Sequence, residues 1–297
     1  MDLPRRIVIS RKGFDGGTGC IPSPILSDGT MISLPIPKAA DTVSYADLWL
    51  NGHSYGKLVT DLRAQRMTRN KEKKLISATD MAHMDPDLIR GDMLPRKPDW
   101  RPAFGPSAKA ATILRKHCVG RGDLFLFFGW FRRCELAGGT YRFISDEPKL
   151  HVVYGYLRIS DVYRLPDDRV PDWAKDHPHL HERDRKADTL FVAANHLGLP
   201  GAAELPGAAA FPMFSDALRL TAPGMTRSWW RLPKWFYPAP GVPPLSSHEK
   251  PDRWRLQTDS CLLQSVSRGQ EFVLDAEHYP EAIEWAVSLI RNGIGVT

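Results

Sequence analysis

His83-Met84-Asp85-Pro86-Asp87 puts one imidazole and two carboxylates within five residues, and an H-x-D pair is a usable start for a metal site. Residues two apart in extended backbone project to one side. His83 and Asp85 then supply two ligands of the two-histidine, one-carboxylate face that binds iron(II) and leaves coordination positions open. A second histidine must come from elsewhere, and spacing does not choose it. The competing structural reading has Asp85 or Asp87 capping a short helix that begins at Pro86. His177-Pro-His-Leu-His181 also sets imidazoles at alternate positions. With Asp172, Asp176, Glu182 and Asp184 around it, this stretch reads as a wet, charged surface loop rather than a chelate. His151 opens an apolar strand, where a histidine is either a satisfied structural residue or, at a strand end, a site residue. Glu271 precedes Phe272-Val273-Leu274. Partial burial there would raise its pKa and suit it to proton transfer, with nearby Arg268 opposing the shift; the structural reading is a buried Arg–Glu pair. Ser246-Ser247-His248-Glu249 specifies no reaction.

Other residues suit a phosphate or a base. Arg11-Lys12-Gly13-Phe14-Asp15-Gly16-Gly17 combines two cations with three glycines that let backbone N–H groups approach an anion. Its spacing matches neither the P-loop nor the dinucleotide fingerprint, so a plain glycine turn remains open. Trp229-Trp230-Arg231, Lys234-Trp235-Phe236-Tyr237 and Arg253-Trp254-Arg255 interleave cations with rings. That composition serves an unstacked base, each stacking contact being worth roughly 1–3 kcal/mol, or it lids the core. H-E-x-x-H and the zinc-deaminase signature are absent from the sequence, and the four cysteines form no C-x-x-C pair.

The elements that must position these residues are short strands and long ordered loops. Arg6–Ser10, Met31–Ile36, Asp123–Phe131, His151–Ile159, Asp188–Ala194 and Phe214–Leu220 read as strands. Gly129 and Gly155, each set between aromatics, mark bulges or close approaches in a small curved sheet or barrel. Leu58, Val59 and Leu62 lie on one helix face, and the basic run Arg63–Lys74 follows as a solvated helix end or a phosphate-tracking stripe. Ser107 caps a helix over Ala108–Cys118. Ser228–Pro251 reads as an irregular loop, and Pro280–Arg291 as an amphipathic helix with Gly293 after its end. At 297 residues and 42% hydrophobic content the chain is ordered, and we expect one domain over 1–297. The fold class expected is α+β, with a central curved mixed or antiparallel sheet and peripheral helices. The net charge of +6 permits a polyanion partner. No stretch is long and apolar enough for a membrane span, so a cytoplasmic protein with reduced thiols is expected.

SRKGFD, PSPI with LPIP, HMDPDL, GDLFLFFGWFR, HVVYGYL, LPKWFYP and RGQEFVLD run in this order over nearly the whole chain. Together they resemble the third type of bacterial nucleotide-modification-associated domain. The resemblance implies an α+β enzyme found beside DNA-base-modifying systems, with oxidative chemistry on a base or nucleotide. Carried onto this chain, the family's polar positions are Arg11, Lys12, Asp15, His83, Asp85, His151, Arg268 and Glu271, in one pocket built from distant loops. We therefore expect a metal-dependent enzyme using iron(II), an oxygenase whose cosubstrate, 2-oxoglutarate or another, is not specified. His83, Asp85 and His151 or Asp15 would hold the ion, and Asp85, Glu271 and Lys12 would serve the chemistry. Arg11, Lys12, Trp229, Trp230, Arg231, Lys234, Trp235 and Arg268 would hold DNA or a nucleotide. Two alternatives stay open. GDLFLFFGWFR followed by a glycine-containing aromatic strand is similar to the core of PUA-type modules, which read modified or flipped bases without metal. The third reading is a partner subunit for other DNA-modification enzymes.

Overall fold

Leu124 to Phe131 is apolar throughout apart from Gly129, and such a run is stable only where both faces of a strand are covered. A computed structural model, which describes residues 3–296 apart from 69, 71, 90–92, 107, 166 and 182–188, places it at the centre of the fold. The strands that carry the argument are β1 (Arg6–Arg11), β2 (Ser23–Ile25), β3 (Ala103–Phe104), β4 (Leu124–Ala137), β5 (Thr140–Phe143), β6 (Leu150–Arg164), β7 (Thr189–Ala193), β8 (Ala208–Ala210), β9 (Trp229–Pro233), β10 (Trp254–Leu256), β11 (Ser260–Gln264) and β12 (Glu271–Asp275). The helices are α1 (Tyr55–Asp61), α2 (Ala108–Lys116), α3 (Pro178–His181) and α4 (Glu281–Ile294).

The main sheet has the order β3-β7-β6-β4-β1-β12, with β2 and β5 also pairing along β4 and β8 along β6. It is mixed: β1 and β2 run parallel to β4, while β6 and β12 pair antiparallel with β4 and β1. The sheet stays open rather than closing into a barrel, and the class is α+β. Gly155 behaves as its sequence context suggests. The β4–β6 register shifts beside it, and a Cβ at Gly155 would stand 2.8 Å from the Ala209 carbonyl oxygen on β8.

Two large buried apolar clusters form most of the core, beside a small third one of Ala103, Ala174, Leu190 and Val192. One surrounds β1, β4, β6 and α4, and the other gathers Tyr45, Tyr55, Leu58 and Val59 of α1 and its flanks with Cys134 and Tyr141. Among the described residues, no helix is long and apolar enough to cross a membrane.

Several local expectations are corrected. Met31–Ile36 forms no continuous strand, since Met31 makes only a bridge to Ile25 and Ile36 opens a two-residue pairing with His83. The basic run folds as the antiparallel hairpin Gln65–Met67 with Lys73–Leu75, whose exposed cations sit on strands. Asp216–Leu218 is a 3-10 turn held by the Ser215 side chain, not part of a strand. Ser228–Pro251 contains β9, which pairs with β11 through Trp230 opposite Leu263. α4 continues past Arg291. Gly293 lies inside it against Phe211, and Gly295, left-handed at φ 78°, ends it. Ser107 lies outside the described residues.

His248 lies in the loop that packs under β9, fully buried. Its Nδ1–H donates to the Ser246 carbonyl at 2.9 Å, and its Nε2 accepts the Val266 N–H at 3.2 Å, so neither nitrogen can take a further proton without losing a bond. Burial lowers its pKa to about 4, while the Ser246 carbonyl pulls the other way. Because the folded pKa is depressed, the unfolded chain binds the proton first as pH falls. The stability due to neutral His248 is present above about pH 6.5 and is lost towards pH 4, with about 2 kcal/mol going between pH 7 and pH 5. Urea unfolding at these two pH values should show that loss in the wild type and a smaller one in His248→Gln. Equal losses would contradict it.

Candidate metal centre and adjoining cavity

Three elements far apart in sequence bring four polar side chains together. Ala82–His83 pairs with Ile36–Pro37, which fixes His83, and the chain then turns tightly so that the Asp85 N–H reaches the His83 carbonyl at 2.9 Å. The third element is α3, whose single turn is entered through His177 and carries His179 inward. Gly105, just after β3, lets His179 come close, since a Cβ there would stand 2.7 Å from the imidazole. The Gly105 N–H also donates to Asp85 Oδ1 at 2.8 Å, which aims the carboxylate.

His83 Nε2 and His179 Nε2 are 3.2 Å apart, and His179 Nε2 is 3.3 Å from Asp85 Oδ2. One ligand atom from each of the three residues lies within 4.8 Å of the others. Donors bound about 2.0–2.2 Å from a first-row ion stand about 3.0–3.5 Å apart, so these spacings fit two edges of a coordination shell. His83 Nδ1 is 2.8 Å from Asp41 Oδ2 in a buried contact. A proton on Nδ1, donated to Asp41, leaves Nε2 with its lone pair facing His179, which is the usual outer support of a metal-ligating histidine. His177 accepts the His179 N–H through Nδ1 at 3.3 Å, so its proton sits on Nε2, 3.5 Å from Asp85 Oδ1. Burial alone would raise the Asp85 carboxyl, but His179 and His177 outweigh it and hold it well below the usual carboxylate range. Burial lowers His179, with Asp85 opposing. Carboxylate and neutral imidazole are the forms in which both groups are ligands.

Asp85 also lines a cavity of about 660 Å³ where the two core clusters meet. Met31, Leu88, Trp100 and Phe211 supply apolar wall, and Tyr55, Asn51 and Asn195 supply polar groups. The Tyr55 hydroxyl is buried with no hydrogen-bond partner among the described residues. A cavity of this size and mixture suits a flat polar molecule as large as a nucleotide.

The structure thus joins His83 and Asp85, as the H-x-D spacing suggested, but supplies the second histidine from the stretch read as a wet loop. His177 and His179 are only 5% and 6% exposed, and His179 points in from the helical turn of α3 while His177 stands just before it. The side chain of His181 lies outside the described residues, as do Glu182 and Asp184. Asp87 caps no helix; it pairs with Arg96 through two bonds of 2.7 and 2.6 Å. His151 and Asp15 are elsewhere. His151 Nδ1 accepts the indole N–H of Trp230 at 2.9 Å, and Asp15 Oδ1 accepts the N–H groups of Gly17 and Thr18 within its own loop.

The remaining expected site residues do not share one pocket. Glu271 is fully buried, and its partner is Lys12, 2.6 Å away, rather than Arg268, which is exposed. Neither Lys12 nor Glu271 lines the cavity. Arg11 spends its guanidinium on the Val266 and Ser267 carbonyls. Trp230 is core, packed edge-on against Phe128, and Trp235 stacks on Phe236. Trp229 carries Arg255 over its ring at 4.4 Å, while Arg231 and Lys234 are exposed. Asp41 was missed, and nothing local marks it. His179 left a signal, the alternating histidines.

A family profile described as nucleotide modification associated domain 3 matches residues 6–275 of the 297. No curated protein and no solved structure matches the chain.

Proposed function

The chain belongs to the nucleotide modification associated domain 3 family, and from that premise we propose that it is a metal-dependent enzyme that modifies a nucleobase or nucleotide of DNA. The observation that carries this reading is the cluster of His83, Asp85 and His179 beside a nucleotide-sized cavity. Two imidazoles and one carboxylate form the donor set of iron(II) oxygenases, and iron(II) held so supplies open positions for a cosubstrate and an oxidant. His83, Asp85 and His179 would hold the ion, Asp41 and Gly105 would orient two of those ligands, and Tyr55, Asn51 and Asn195 would orient the base. The four cysteines, unpaired in the structure, suit a reducing compartment such as the cytoplasm.

The test is a product search. Anaerobically iron-loaded protein is mixed with DNA, exposed to air with and without 2-oxoglutarate, and the DNA is digested to nucleosides for mass spectrometry. A new nucleoside heavier by one oxygen atom is expected with wild type and absent with His179→Ala. Unaltered nucleosides from fully iron-loaded wild type would reject the oxygenase reading and favour a reader of bases.

A further inference from the structure

A second hollow, of about 810 Å³, shares no lining residue with the cavity beside Asp85. Its wall draws Arg11 from the end of β1, the Asp15-Gly16-Gly17 loop, Trp130 from β4, Lys149 and His151 around the start of β6, Arg227 and Ser228 ahead of β9, and Ser267. The Arg227 guanidinium lies 4.2 Å from the Trp130 ring centre, and Lys149 Nζ is 5.9 Å from the same ring. The charged groups facing this space are therefore Arg11, Lys149, Arg227 and Asp15, a net excess of two positive charges. His151 adds none: burial, and then Arg11 and Arg227, hold it well below the ordinary histidine value.

Two further features point to a ligand. The Trp130 side chain is buried, yet its indole N–H has no hydrogen-bond partner among the described residues. Arg227 is half-buried on that indole, and among the described residues no carboxylate is hydrogen-bonded to it, Asp15 acting on it only electrostatically, so one face of a guanidinium–indole stack is presented to the hollow. Guanidinium planes stack on bases, and paired cations hold phosphates.

We propose that this hollow binds a nucleotide: the phosphate between Lys149 and Arg227, with Arg11 adding charge behind it, and the attached base on the Arg227–Trp130 stack. The same chemistry is offered by a free nucleotide and by a residue within a single strand. The site does not depend on the metal reading.

The test uses the full chain and a fluorescein-labelled single-stranded DNA twelve-mer followed by anisotropy, with deoxyadenosine monophosphate and inorganic phosphate as competitors. The double variant Arg227→Ala/Lys149→Ala should weaken strand binding at least tenfold or so and lower the salt slope by roughly two. The mononucleotide should compete at roughly tenfold lower concentration than inorganic phosphate, because only it carries a base to stack. Calorimetry separates the sources: tighter binding of the twelve-mer assigns a strand, and mononucleotide binding alone assigns a free nucleotide. Unchanged affinity in the double variant overturns the proposal, as does equal competition by inorganic phosphate. Loss in Asp85→Asn with retention in the double variant would move the ligand to the other cavity and leave the metal reading standing.

Discussion

Lys12→Met should destabilise the fold by about 3–5 kcal/mol, the usual cost of removing one partner from a buried ion pair. Lys12 follows β1 and Glu271 opens β12, and the two side chains are 9% and 0% exposed, so almost no water reaches the pair. Glu271 Oε2 already lacks a hydrogen-bond partner among the described residues. Without the ammonium, which sits 4.5 Å over the Phe104 ring, the buried carboxylate would lose its charged partner. Because the penalty is that of an uncompensated charge, Lys12→Met/Glu271→Leu should recover most of the loss. Urea unfolding of wild type, single and double variants measures both effects. A single-variant cost below about 1 kcal/mol would mean that the pair behaves as a solvated surface bridge.

Asp85→Ala should weaken the binding of a first-row divalent ion about a thousandfold or more, since it removes the anionic ligand of the cluster, whereas Asp41→Asn, acting through His83, should cost roughly 10–100-fold. Asp85→Ala also orphans the Gly105 N–H, a cost of about 1–3 kcal/mol in stability, which Asp85→Asn avoids while still removing the charge. Titration with cobalt(II), read by its visible absorption, gives the affinities, and far-ultraviolet circular dichroism checks the fold. A similar affinity in wild type and Asp85→Asn would remove Asp85 from the ligand set.

What the sequence revealed depended on how local the physics was. The central strand β4 was legible because an unbroken apolar run has few other solutions, and α4 because its apolar face repeats with helical period. The pairing of β1 beside β4 was not, since register between strands 117 residues apart depends on the whole core. β9 was missed because its aromatic, proline-flanked sequence hides the alternation that buries Trp230 and Leu232 and leaves Arg231 out. In the site, H-x-D was visible as a pair. The partner His179 was visible as a residue but misread, because the acidic neighbours argued for solvent while the turn into α3 carries His177 and His179 under the surface. Asp41 and Gly105 support the ligands only through the folded chain, and no spacing rule reaches them.

The central claim is that His83, Asp85 and His179 hold a metal ion, and counting iron, manganese and zinc per chain tests it most directly. The counts are made on untagged protein purified without oxygen, for wild type, His179→Ala and His151→Ala. Near-stoichiometric metal in wild type and His151→Ala, with little in His179→Ala, is the expected result. A wild type without metal, or metal kept in His179→Ala and lost in His151→Ala, would contradict it.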